Sequence, residues 1–291
     1  MNQKAFQNKN FLGHITALIT IFIWSLTFVQ TKVLLSYLNP IEILIIRFFL
    51  AWSVFFLLVP KLIFYTFKEE VLIFLLGASG IFGYYVLENL ALKYTSAINV
   101  GLIVTSSPVF TAFFIYLKNK DKKIKFNILG VIIVLIGLFI LEYKNLSEVN
   151  TGDILALLGA VSFAFYSYLL SLLKNKNHLI ITRKSFFWGL ILLLVFFYLK
   201  NLSFHFEYYK YPQVYANLAI LAFFASFLCF IMWKYAVSII GATKTSNYIY
   251  LVPIINTAAA VVILNENFYF TTLTAMILIV LGLIVSHKYG I

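Results

Sequence analysis

Long apolar runs separated by short, lysine-bearing gaps repeat along the whole chain. Read as one element per low-charge run, the pattern predicts ten spans, at 13–34, 41–58, 71–92, 97–117, 126–141, 154–173, 180–199, 214–236, 242–264 and 271–287. Each is close to the ~20 residues that a helix needs to cross the hydrocarbon core of a bilayer, so each is read as a transmembrane helix. The seventh holds Arg183 and Lys184, and it reaches full length if those two cations snorkel to the lipid surface. The first run is longer than a signal-peptide core and no small-residue cleavage pattern follows it, which predicts a retained helix.

Composition leads the same way. The 291 residues are 63% hydrophobic and 11% charged, with a mean hydropathy of +0.97. A soluble domain carries about a quarter charged residues, so this chain cannot cover its apolar surface in water. The single cysteine, Cys229, allows no internal disulfide, and histidines at 14, 178, 205 and 287 make no metal-ligand spacing. Thiol enzymes and metalloenzymes are thereby set aside, and no cofactor is expected. The net charge of +12 does not point to nucleic acid, because the cations sit in gaps between apolar runs rather than on one folded face. With the N-terminus inside, the inner gaps hold most of them, including Lys4, Lys9, Lys61, Lys68, Lys174, Lys176 and the cluster from Lys118 to Lys125. The outer gaps hold Lys93, Lys144, Lys200 and Lys210. This bias predicts cytoplasmic termini, with attraction to anionic lipid as a secondary effect.

The chain also reads as two copies of one unit. Pro108 and Pro253 stand 145 positions apart, and the same offset relates Ala91 to Ala236, Ala97 to Ala242, Asp121 to Glu266 and Gly137 to Gly282. Near the starts of the copies the offset is 139, from Gly13 to Gly152. Five spans per copy is an odd number, so the second copy enters the membrane from the opposite side. The expected fold class is therefore an all-α integral membrane protein with ten transmembrane helices in two inverted five-helix repeats, at 11–143 and 152–288. Inverted repeats of this kind build secondary transporters around a midplane site.

The first span reads Ile23-Trp24-Ser25-Leu26-Thr27-Phe28-Val29-Gln30-Thr31-Lys32, the second holds Arg47 in Ile46-Arg47-Phe48-Phe49-Leu50-Ala51, and the third ends in Leu90-Ala91-Leu92-Lys93-Tyr94-Thr95-Ser96-Ala97. With Leu264-Asn265-Glu266-Asn267 and the later Gly282, these stretches resemble the drug/metabolite transporter superfamily, and within it the ten-helix EamA-type carriers. The resemblance spans nearly the whole chain. Ser25 departs from the usual glycine, Asp121 from a glutamate and Phe163 from a frequent tryptophan. What the resemblance implies is a two-repeat bundle that moves a small polar metabolite, often an amino acid or related compound, by exchange or facilitated flow.

Candidate site residues follow from helical spacing and from the cost of charge in hydrocarbon. Arg47, Lys32 and Glu88 lie within apolar runs and should face the interior or a wet cavity. Arg47 and Glu88 fall at similar depth, where they either pair or face one cavity, whereas Lys32 is expected to snorkel outward. Polar stripes run along the first span (Thr20, Trp24, Thr27, Thr31), the third (Gly77, Tyr84, Glu88), the sixth (Gly159, Ser162, Tyr166) and the ninth (Thr243, Asn247, Tyr250, Thr257). Interhelical hydrogen bonding is the alternative to ligand contact on each stripe. The substrate-binding candidates are Trp24, Thr27, Arg47, Tyr84, Glu88, Tyr166, Asn247 and Tyr250. Pro108 and Pro253, near the centres of the fourth and ninth spans, are expected to bend those helices by freeing the carbonyls of Val104 and Ile249, and are the candidate hinges. Gly130, Gly137, Ala275 and Gly282 suit close approach of the fifth and tenth helices, within one chain or in a homodimer. Asp121 and Glu266 read as solvated turn residues or helix caps.

The expected function is a secondary carrier for small polar organic metabolites, amino acids or derivatives, by alternating access, with protonation of Glu88 as the candidate coupling. A nucleoside-like metabolite such as S-adenosylmethionine is the alternative cargo. A membrane-embedded enzyme would need a His, Asp or Glu constellation near one interface, and His14 and His287 have no acidic neighbour in sequence. A channel or non-transporting scaffold is the third class. The expected partners are a small-molecule substrate and the lipid of a cell membrane, read as a bacterial inner membrane.

Overall fold

A computed structural model describes residues 3–119, 128–142, 150–173, 176–240, 245 and 247–290, and among them there is no strand. Helix α1 is Gln3–Leu34, α2 is Pro40–Leu58 and α3 is Phe67–Tyr94. Helix α4 comes in two pieces, Ala97–Val104 and Ser107–Asn119, followed by α5 (Ile128–Glu142), α6 (Thr151–Leu172) and α7 (His178–Leu199). Helix α8 runs from Pro212 to Ile240 in three pieces, α9 is a 3-10 turn Asn247–Leu251 continued by Val252–Leu264, and α10 is Phe270–Gly290. Seven of these are long and apolar enough to cross a membrane, and three shorter apolar helices, 129–141, 248–264 and 270–285, lie where the fifth, ninth and tenth spans were expected.

Local chemistry sets the helix starts. Asn39 accepts from the backbone N–H of Glu42 at 2.8 Å while the Glu42 carboxylate reaches back to the Asn39 N–H, and Pro40 follows at the first helical position. Ser96, Asn150 and Asn177 cap α4, α6 and α7 in the same way, through bonds to Asn99, Gly152 and Leu179. Helix α9 ends at Asn265, whose φ of 54° is the left-handed conformation that asparagine tolerates better than most residues.

Helices α3 and α8 each contain a wider, π-type stretch, Gly77–Gly83 and Leu221–Leu228. In each, the N–H that closes the stretch (Tyr84, Cys229) bonds five residues back, to the carbonyls of Ser79 and Phe224. Helices α4 and α9 are interrupted rather than bent. Thr105 and Ser106 form a turn closed by Ser106 N–H to Ile103 O at 3.0 Å, and a 3-10 turn precedes Val252. Pro108 and Pro253 stand in the first turn of the piece that resumes, where a missing N–H breaks no bond. The bend expected at these prolines thus takes the form of a local turn in each helix, and at the first of them the Ser106 hydroxyl donates to the Ile103 carbonyl and the Thr105 hydroxyl to the Gly101 carbonyl.

The packing has an internal pattern. Helix α1 lies on α8 and α9, α6 lies on α3 and α4, and α2 lies on α7 and α8 while α7 also lies on α3. Helices α4 and α9 pack together, as do α5 and α10. Adding five to each helix number turns every one of these pairings into another, or into itself. On α5 and α10 the small residues face each other within the chain: a Cβ at Gly137 would stand 2.9 Å from Ile279, and one at Gly282 would stand 2.8 Å from the Gly130 carbonyl. Phe48, Phe55, Phe186, Phe227 and Phe230 form an aromatic spine at centroid separations of 5.1 to 5.6 Å, joining α2, α7 and α8. The outside carries exposed Phe22, Phe49, Leu135, Leu158, Val195 and Val262, the reverse of a water-soluble surface.

Several charged side chains tie helix ends to remote segments. Glu42, fully buried, accepts from the His205 N–H at 2.7 Å, lies 2.7 Å from His205 Nδ1 and accepts from the Tyr209 hydroxyl. Burial first, and then the Glu42 carboxylate, push the Tyr209 phenol above its ordinary value, so it remains a donor through the physiological range. Glu266 does not cap its own helix. Its carboxylate accepts from Ala97 and Ile98 at 2.7 and 3.0 Å, closing the N-terminus of α4 from a distant loop. Lys32, half-buried at the end of α1, donates to the carbonyls of Leu92 and Thr95 at the end of α3. Arg183 donates to the carbonyls of Val59 and Lys61 beyond α2. Asp121 lies outside the described residues.

Candidate functional site

Arg47 and Glu88 both lie in the interior of the bundle, 1% and 2% exposed, turned away from lipid as the cost of charge in hydrocarbon requires. Arg47 is on α2 and its Nε donates to the Ser226 hydroxyl at 2.6 Å, inside the π stretch of α8. Its guanidinium carbon stands 4.9 Å from the ring centroid of Tyr85, a cation–π distance. Glu88 lies one turn further along α3 than Tyr84, and both are buried. The two charges make no direct ion pair: no nitrogen of Arg47 comes within 4.0 Å of a Glu88 oxygen. Of the two alternatives left open by the sequence, direct pairing is therefore not what is found. Each group keeps an unmet atom: Arg47 Nη1 and Glu88 Oε2 are buried without a hydrogen-bond partner. A buried charge in this condition costs free energy unless a further partner arrives.

The rings around this pair come from both halves of the chain. Tyr84 packs on Tyr85 at 4.7 Å and on Phe163 of α6 at 4.9 Å, and Phe163 is 5.8 Å from Tyr166. Tyr166 lies over Gly80, where a Cβ would stand 2.2 Å from its ring. Gly80→Ala is accordingly expected to displace Tyr166 and destabilise the protein by about 1–3 kcal/mol, read as a lower midpoint of thermal unfolding in detergent.

The remaining candidates divide. The Trp24 indole donates to the Ala225 carbonyl at 3.0 Å and packs on Phe230 and Trp233, so it docks α1 against the π stretch of α8 next to Ser226. Ser162 of α6 makes the matching contact, donating to the Ser79 carbonyl in the π stretch of α3 at 2.8 Å. Thr27 is buried, but its hydroxyl bonds the Trp24 carbonyl within its own helix. Tyr250 is half-buried and its hydroxyl donates to the Leu283 carbonyl of α10 at 3.2 Å, an interhelical tie. The side chain of Asn247 and all of Thr243 lie outside the described residues. Gly77 does not share a face with Tyr84 and Glu88. A Cβ there would stand 2.6 Å from the Ser185 carbonyl of α7, because the π stretch lies between Gly77 and Tyr84. Sequence reasoning missed Tyr85 and Ser226. A straight-helix stripe admits Tyr84 or its neighbour but not both, whereas both are 8% exposed here. Ser226 is the one hydroxyl between Leu221 and Leu228, a signal that was available.

Comparison with known proteins bears on the family of the chain. The model of the EamA-like transporter family matches the chain twice, over residues 11–143 and 150–287. An uncharacterized transporter of Archaeoglobus fulgidus is 27% identical over 285 residues, covering 92% of this chain and 95% of that protein. The uncharacterized transporter YyaM of Bacillus subtilis is 30% identical over 229 residues, covering 75% of this chain and 73% of its own length. A protein crystal structure superimposes with a TM-score of 0.67 over 96% of this chain and 98% of its own, at 16% identity, a likeness of fold alone.

Proposed function

The chain belongs to the EamA-like transporter family, and from that premise we propose that it is a secondary carrier for solutes bearing an α-amino-carboxylate group, moved by alternating access. It is a multi-pass membrane transporter rather than an enzyme, acting on a small molecule. The observation that carries the substrate reading is the pair of buried, opposite, incompletely satisfied charges. Arg47 Nη1 offers a donor to a carboxylate and Glu88 Oε2 an acceptor to an ammonium, so one zwitterionic head group answers both. The rings of Tyr84, Phe163 and Tyr166 would border the side chain of that solute. Because a flat ring system also suits them, S-adenosylmethionine, which carries the same head group, belongs in the test.

Two inverted halves, 11–143 and 152–288, would supply the alternation. The double family match and the exchange of helix pairings on adding five support that reading. The interruptions before Pro108 and Pro253 recur at the same offset and serve as the hinges. The lysine bias supports cytoplasmic termini in the cell membrane.

Counterflow in proteoliposomes tests the substrate reading. Vesicles preloaded with an unlabelled amino acid mixture should accumulate labelled amino acid in a saturable manner, while matched esters lacking the carboxylate and acids lacking the amine should not compete. Competition by those analogues at equal potency would sink the zwitterion. Glu88→Gln should flatten the pH dependence of this exchange; a wild-type pH profile in the variant would remove Glu88 from coupling.

A further inference from the structure

We propose that a cavity at the junction of α2, α7 and the 59–66 connection binds the phosphate of an anionic phospholipid. The cavity measures about 360 Å³ and is lined by Trp52, Phe56, Leu62, Glu70, Arg183 and Lys184, among others. Its charges do not cancel. Lys184 is paired with Glu70, but among the described residues the partners of Arg183, 4% exposed, are the neutral carbonyls of Val59 and Lys61 and the Phe56 ring at 5.8 Å. Among the described residues no carboxylate oxygen lies within 4.0 Å of it. A formal positive charge removed from water without an anion is costly, and a phosphate monoanion is the counter-ion a membrane supplies.

The surroundings select a lipid over a free phosphate. Leu62 and Phe64, which line the cavity, are 72% and 81% exposed, a surface that suits acyl chains and not water. The site is separate from Arg47 and Glu88, and its occupancy does not depend on what the carrier moves.

The test uses the full-length protein in detergent, titrated with dioctanoyl-phosphatidylglycerol, with dioctanoyl-phosphatidylcholine and with inorganic phosphate. Thermal unfolding and native mass spectrometry are the readouts. The expected result is a rise in unfolding midpoint and retained adducts with phosphatidylglycerol alone. Arg183→Gln should weaken half-saturation about fivefold, the share one basic side chain contributes to attraction for anionic lipid. Because that variant also loses two carbonyl bonds, Leu62→Glu, an exposed change that puts a carboxylate at the cavity mouth, is the second arm and should weaken binding in the same sense. Equal response to phosphatidylcholine, equal response to inorganic phosphate, or wild-type binding in Leu62→Glu would each overturn the proposal.

Discussion

Arg47→Gln is expected to weaken binding of the transported solute by about two to three orders of magnitude, with the protein still reaching the membrane. The size follows from removing one partner of a desolvated charge pair, about 3–5 kcal/mol, at roughly 1.4 kcal/mol per factor of ten. Ser226 and the Tyr85 ring keep the remaining space polar and aromatic, so glutamine can still bond the Ser226 hydroxyl. Arg47→Lys should fall between, because a point charge keeps the attraction but loses the planar fork that satisfies Ser226 and a carboxylate together. The measurement is half-saturation in counterflow, with gel filtration to verify the fold. Unaltered half-saturation in a folded Arg47→Gln protein would remove this arginine from the binding site.

Glu42→Ala should have the largest effect on stability. The variant leaves the His205 N–H, the Tyr209 hydroxyl and the Asn39 N–H without their acceptor at once, and removes half of the capping box that starts α2. Losing one partner of a buried charged network costs about 3–5 kcal/mol, and the cap adds about 1 kcal/mol. Glu42→Gln, which retains one acceptor, should lose less. Hydrogen exchange of residues 203–211 is the direct readout: their amides should exchange as in an untethered loop, and wild-type protection in Glu42→Ala would show that the loop is held by something else.

The parts of this molecule that were legible in the sequence are those that depend on local composition. Apolar runs placed the helices, Asn39, Asn150 and Asn177 stand at helix starts, and Arg47 and Glu88 drew notice because charge inside such runs is rare. What was not legible depends on the third dimension. The carboxylate of Glu266 closes a helix 169 residues earlier in the chain, and Arg183 reaches carbonyls more than a hundred residues away. No local pattern distinguishes such residues from solvated turn charges. The wider turns of α3 and α8 are hidden for another reason: average hydropathy does not respond to one extra residue per turn. The straight-helix stripe through Gly77, Tyr84 and Glu88 failed there, and so did the choice of Tyr84 without Tyr85.

Those wider turns also set where the chain tolerates a lost residue. Deleting one residue from Leu221–Leu228 would let α8 close as an ordinary helix and leave the segments on either side in their present orientation, because the widened turn has already absorbed that residue. Phe230 and Trp233 would stay on the indole of Trp24, and the change would fall on the carbonyls of the stretch itself, among them the Ala225 acceptor of that indole. The same deletion in the uniform helix α6, which has no widened turn to close, would instead turn everything beyond it by about 100° around its axis.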